Sequence, residues 1–202
     1  MRLILMWLLM VGAATAGPAE DVATTAQMAF DRMPPLRIVD RIAGRCGANE
    51  DGREGAAYCT TQNVIFLTRA AAEQPQAPYL VAHLYGHAVQ VRHGVADFAL
   101  GQIRARRDEE AMLRGLVTRQ VECIAGFLVA RAGIAPVSLT ELFEDEPFTG
   151  SHWGRDPLHI GPQVSIGLAV RTEWFHVGQG GDLSVCAPGE FTADLLLQAL
   201  KS

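Results

Sequence analysis

The chain has 202 residues, 49% of them hydrophobic, with 22 acidic against 17 basic side chains and a formal net charge of −5. That length suits one globular domain with a real core, and a charged fraction of 19% beside 7% aromatics excludes a disordered chain. No Lys/Arg cluster stands ready to displace phosphate counterions, which argues against nucleic acid as a partner.

The first sixteen residues read as a secretory signal peptide. Arg2 precedes an apolar run over residues 3–11, and Ala14-Thr15-Ala16 forms an A-x-A cleavage site. The stretch from Leu3 to Ala16 is shorter than the roughly 20 residues a membrane span needs. Cleavage after Ala16 is therefore expected, with an uncleaved anchor as the alternative. The mature chain is then exported, periplasmic or secreted, without a membrane span, and residues 17–202 form a single domain.

In chain order, residues 19–33 have helical spacing and stop at Pro34-Pro35. Residues 36–39 read as a strand. A Gly-rich turn follows over 44–55, and residues 57–59 and 64–67 read as the two strands of a hairpin. Pro78 suits the first position of a helix, because its missing N–H is not needed there, and that helix runs to about His93. A longer helix over 109–132 ends at Gly133 with Pro136 just beyond. Residues 137–144 add a short helix, and 164–177 and 192–201 two more. Long helices after a small group of strands predict an α+β domain, mainly helical with a small antiparallel sheet.

Four cysteines, Cys46, Cys59, Cys123 and Cys186, are an even number in an exported chain, and no C-x-x-C occurs. Oxidising surroundings favour disulfides, with three possible pairings. The preferred pairs are Cys46–Cys59, closing a short hairpin, and Cys123–Cys186, tying a helix to the C-terminal segment. Free buried thiols are the alternative.

The helix after Pro78 carries His83-Leu84-Tyr85-Gly86-His87. Histidines at i and i+4 project from one helix face about one turn apart, which lets two imidazoles reach a single zinc ion. A chance pair on a hydrogen-bonded helix face has the same spacing. The surroundings add to the signal. Cys46-Gly47, Tyr58-Cys59, the strand Val64-Ile65-Phe66-Leu67 and the His83 helix occur in order. Gln120-Val121-Glu122-Cys123-Ile124-Ala125-Gly126, then Arg171-Thr172-Glu173-Trp174-Phe175, Gly178 and Cys186 follow. This succession resembles the bacterial neutral zinc metallopeptidases, a family of exported or membrane-anchored HExxH proteins, over about residues 46–186. The resemblance implies a zincin-like fold and a zinc peptidase site.

The departures fall on the chemistry. Where the family has the Glu that acts as general base, this chain has Leu84, which can neither take up nor deliver a proton. Aligned on Gln120 and Cys123, Thr118 occupies the place of the third ligand, a Glu in the family, and Glu122 the place of the acid that orients the first His. A general base contributes about 10²–10⁴-fold in rate, and catalytic zinc sites normally hold the ion by three protein ligands. The resemblance therefore implies a degenerate member, with His83 and His87 as remnants of a zinc site, that acts by binding a peptide or protein. Two alternatives stay open. One is an active peptidase with an atypical site in which Glu122 joins His83 and His87 on zinc; the other is an exported structural domain with no ligand.

His159 falls where the family has T-H-G, and either faces the cleft or satisfies a backbone partner. His93, His152 and His176 have no partner spacing and read as surface or capping residues. Residues 107–110 read as a solvated helix start, with acids favourable near the helix N-terminus. Trp174 and Phe175 read as core, and Arg171 as a structural partner of an acid.

Overall fold

The computed structural model describes residues 17–45, 55–149 and 164–201. The fold is α+β. In chain order the helices are α1 Pro18–Ala29, α2 Arg69–Ala72, α3 Ala77–Arg92, α4 Val95–Ala105, α5 Glu110–Arg131, α6 Leu139–Leu142, α7 Leu168–Gln179 and α8 Asp194–Ala199. The strands are β1 Leu36–Val39, β2 Ala56–Cys59 and β3 Val64–Thr68. Among the described residues no helix is long and apolar enough to cross a membrane.

The predicted hairpin forms, with Cys59 opposite Val64 and Ala56 opposite Leu67. The sheet as a whole corrects the expectation of an antiparallel one. Its order is β1-β3-β2, and β1 runs parallel to β3, with Leu36 opposite Ile65 and Val39 opposite Thr68. The reason lies in β3. Its residues Val64, Ile65, Phe66 and Leu67 are all buried, so both faces need cover and both edges take a partner. Placed centrally, it receives β2 through the short hairpin and β1 through the longer connection.

Helix α5 is the axis of the helical layer, buried nearly all round because α3 packs on one side and α7 on another. Three glycines set these spacings. A Cβ on Gly86 would stand 2.9 Å from the Val121 carbonyl oxygen, so α3 approaches α5 closely only because position 86 has none. Across the other interface, a Cβ on Gly126 would overlap the Phe175 carbonyl, and one on Gly178 the Cys123 carbonyl. The two glycines bring the backbones of α5 and α7 together.

The Cys123–Cys186 disulfide clamps the C-terminal segment to this α5 face, as expected. Gln120, one turn earlier on α5, donates to the carbonyls of Cys186 (3.0 Å) and Thr192 (3.3 Å). Cys59 is not a free thiol, but Cys46, its expected partner, lies outside the described residues.

Several elements differ from the sequence reading. Helix α1 ends at Ala29 and not at residue 33, because Phe30 turns to extended backbone and bridges Leu200. Helix α4 was not anticipated. It begins at Gly94, in a left-handed conformation with no capping side chain, so the usual Ser/Asp start signal is missing. Helix α7 begins at Leu168 instead of residue 164, because Ser165 and the Ile166 N–H bond the Glu146 carboxylate in place of helical partners. Helix α8 stops at Ala199, and Leu200 pairs as an isolated bridge with Phe30, joining the two ends of the described fold.

Candidate functional site

The predicted histidine pair lies on α3 with its rings 4.9 Å apart and edge to face. Their surroundings differ. His83 is buried at 1% exposure, while His87 is half-buried. His83 Nδ1 stands 3.1 Å from Oε1 of Glu122 on α5, which is itself fully buried. The approach lacks the alignment of a straight hydrogen bond, so the contact is electrostatic.

Glu122 is the hub of the cluster. The Arg171 guanidinium on α7 donates to its Oε1, and the Tyr79 hydroxyl on α3 approaches Oε1 at 3.3 Å and Oε2 at 3.1 Å. Arg171 is 1% exposed and continues the chain of partners. Its Nε donates to Glu146 Oε1 at 2.7 Å, and its Nη2 to the Phe148 carbonyl at 3.4 Å. Glu146 in turn accepts from the Ser165 hydroxyl and from the Ile166 N–H at 2.9 Å. One guanidinium thus ties α5, the segment after α6 and the segment before α7 into a single network. Arg171 pairs with acids as expected, and there are two of them.

Burial opposes every charge here, and the partners decide the balance. Burial pushes the Glu122 carboxyl up, but the His83 and Arg171 contacts outweigh it and leave the group below the usual carboxylate range. His83 is held below its ordinary value, chiefly by burial against the opposing pull of Glu122. Burial, reinforced by Glu122, holds the Tyr79 hydroxyl well above its usual value, so it remains a donor.

Phe148 closes the cluster. Its ring stacks on His83 with centroids 4.2 Å apart and planes within 4°. Tyr79 lies beneath, its ring edge-on to Phe143 at 5.2 Å and to Phe175 at 5.4 Å. Phe148 has φ 54°, in the left-handed region that a bulky side chain seldom adopts. Such backbone costs on the order of 1–3 kcal/mol and persists where the surroundings over-determine it. Here the ring stack and the Arg171 bond to its carbonyl do so.

The other predicted positions are less engaged. Leu84 is 3% exposed and belongs to the main apolar core, so a carboxylate placed there would enter hydrocarbon surroundings. Thr118 is buried, and its hydroxyl donates back to the Arg114 carbonyl one turn earlier at 3.0 Å. His159 and His152 lie outside the described residues. His93 caps the end of α3 and its Nε2 lies 3.2 Å from the Asp31 carbonyl oxygen, and His176 is exposed. Phe175 is core as expected, while Trp174 is half-buried against it. Sequence reasoning did not find Tyr79, Glu146 or Phe148. Tyr79 is the one with a local signal, since it stands four residues before His83 on the same helix face.

Zinc, the metal that the sequence resemblance implies, finds His83 and His87 as its candidate ligands among the described residues. Two imidazoles stand together, but Glu122 is committed to Arg171 and Tyr79, and Thr118 offers no charge. Among the described residues no group of three or more His, Cys, Asp or Glu side chains is placed to hold a metal ion. What the geometry defines is an α+β protein with a buried His–Glu–Arg–Tyr cluster beneath a stacked phenylalanine. No family model, no curated protein and no solved structure matches this chain.

Proposed function

We propose that this chain is an exported, catalytically degenerate relative of the zincin-like metallopeptidases that acts by binding a peptide or protein. The observation that carries the reading is the state of Glu122. In a working site of this type an acid at that position orients a metal-bound histidine; here a buried guanidinium takes its charge, and Phe148 covers the face of His83. Helix α3 keeps the histidine pair as internal architecture. With Leu84 in the core and Thr118 bonded to its own helix, neither of these two positions supplies a general base or a third ligand to the pair. Recognition of a polypeptide is the part of a peptidase's work that such a site retains.

The test is metal analysis of the purified mature chain together with an assay on unstructured peptides. The expected result is substoichiometric zinc and no hydrolysis. The alternative, with His83, His87 and Glu122 on zinc, predicts one equivalent of metal and proteolysis abolished by His83→Ala. That outcome would overturn the degenerate reading.

A further inference from the structure

The strained residue of the site is Phe148. Its backbone is held in a conformation suited to glycine, yet its side chain stacks face to face on His83 with the planes within 4°. Phe148 is half-buried, while the groups beneath its ring, His83 and Tyr79, are each 1% exposed. Tyr79 is itself walled by Phe143 and Phe175. Removing this one side chain would leave a space the size of its ring, floored by the His83 imidazole and bordered by the Tyr79 ring. The strap that carries Phe148, residues 144–148, is retained by polar ties: Glu146 to Arg171, and Arg171 to the Phe148 carbonyl. Pro147 further restricts the strap's backbone.

We propose that Phe148 is an internal occupant of a pocket for an aromatic side chain, and that the polypeptide this protein binds inserts a Phe, Tyr or Trp ring there by displacing it. This rests on the peptide-binding reading and deepens it by naming the recognised side chain. A strained backbone gives the displacement its direction. When the strap lifts, residue 148 relaxes to an ordinary conformation, which offsets part of the lost stack. An incoming aromatic residue restores the stack without the strain. Stacked and edge-to-face ring pairs favour an aromatic over an aliphatic guest of similar size.

The experiment compares the mature wild-type chain with Phe148→Gly and Phe148→Ala, using N-acetyl-phenylalaninamide as probe and the His83 ring signals in NMR as readout. Glycine accepts the left-handed backbone, so F148G should be at least as stable as F148A and should remain folded. Vacating the slot should move the His83 signals by loss of the ring current. The probe should then reverse that shift, binding F148G at least tenfold more tightly than wild type, with N-acetyl-leucinamide weaker. The proposal is overturned if folded F148G does not bind the probe, if it prefers the leucine analogue, or if F148G is unfolded, since a displaceable plug cannot be required for the fold. A displayed-peptide selection separates this from the reading beneath it. Peptides that bind without an aromatic requirement leave peptide recognition standing and overturn the pocket. Probe capture by F148G with no peptide selected keeps the pocket and removes peptide recognition.

Discussion

Replacing Arg171 by Met tests the network at its centre. Arg171 is 1% exposed and Glu122 fully buried, so the variant keeps much of the side-chain volume but leaves a carboxylate in the core without its cation. His83 compensates only in part, because burial disfavours its charged form. Tyr79 still donates, and protonation of Glu122 offers partial relief. Breaking a buried pair from one side costs about 3–5 kcal/mol. Glu146 loses the same cation, but it keeps the Ser165 hydroxyl and the Ile166 N–H. A loss near the lower half of that range, about 3–4 kcal/mol, lowers the melting temperature of a chain this size by roughly 6–16 °C. Thermal denaturation followed by circular dichroism at pH 7 reads it directly. Adding Glu122→Gln to Arg171→Met removes the stranded charge and should recover part of the loss. A fall of less than about 2 °C for the single variant would refute the assignment of Arg171 as the charge partner. Further destabilisation by Glu122→Gln in that background would refute it equally.

Three further outcomes are expected. Replacing both Cys123 and Cys186 by Ala opens a loop with a sequence separation of 63 residues, which the chain-entropy argument values at about 4 kcal/mol; a urea midpoint unchanged from wild type would show that the bridge constrains nothing. Gly126→Ala should destabilise, because its methyl overlaps the Phe175 carbonyl; overpacking costs about 1–3 kcal/mol and outweighs the roughly 1 kcal/mol of helix propensity that Ala gains, so a stabilised variant would contradict the close crossing of α5 and α7. Partial burial pushes the Glu146 carboxyl up, but Ser165, Arg171 and the Ile166 N–H hold it below its usual value, so its contribution is present above the unfolded value near 4.5 and is lost as the pH falls through the folded one. Glu146→Gln should therefore flatten the acid limb of the stability profile, and an identical limb in both proteins would count against this network.

Much of the architecture was legible in local chemistry. Pro78 at the start of α3, and Gly133 and Pro136 after α5, mark helix ends by backbone constraints that act within a few residues. The hairpin of β2 and β3 follows from two short β-rich runs with a turn between them. The spacing of His83 and His87 placed both on one face of α3, and the late Cys186 suggested the bridge to α5 that the fold contains. The partnerships that define the site were not legible. Glu122 and Arg171 are 49 residues apart, and sequence could say only that Arg171 pairs with some acid. Which acid it finds is decided when α5 and α7 close on Gly126 and Gly178 and expel water around both charges. The same holds for the parallel pairing of β1 with β3, for the core position of Leu84, and for Phe148 on His83. Backbone preferences are written residue by residue and survive in isolation. The charge state and cover of a buried histidine depend on what packing brings to it from distant parts of the chain, so they exist only in the folded molecule.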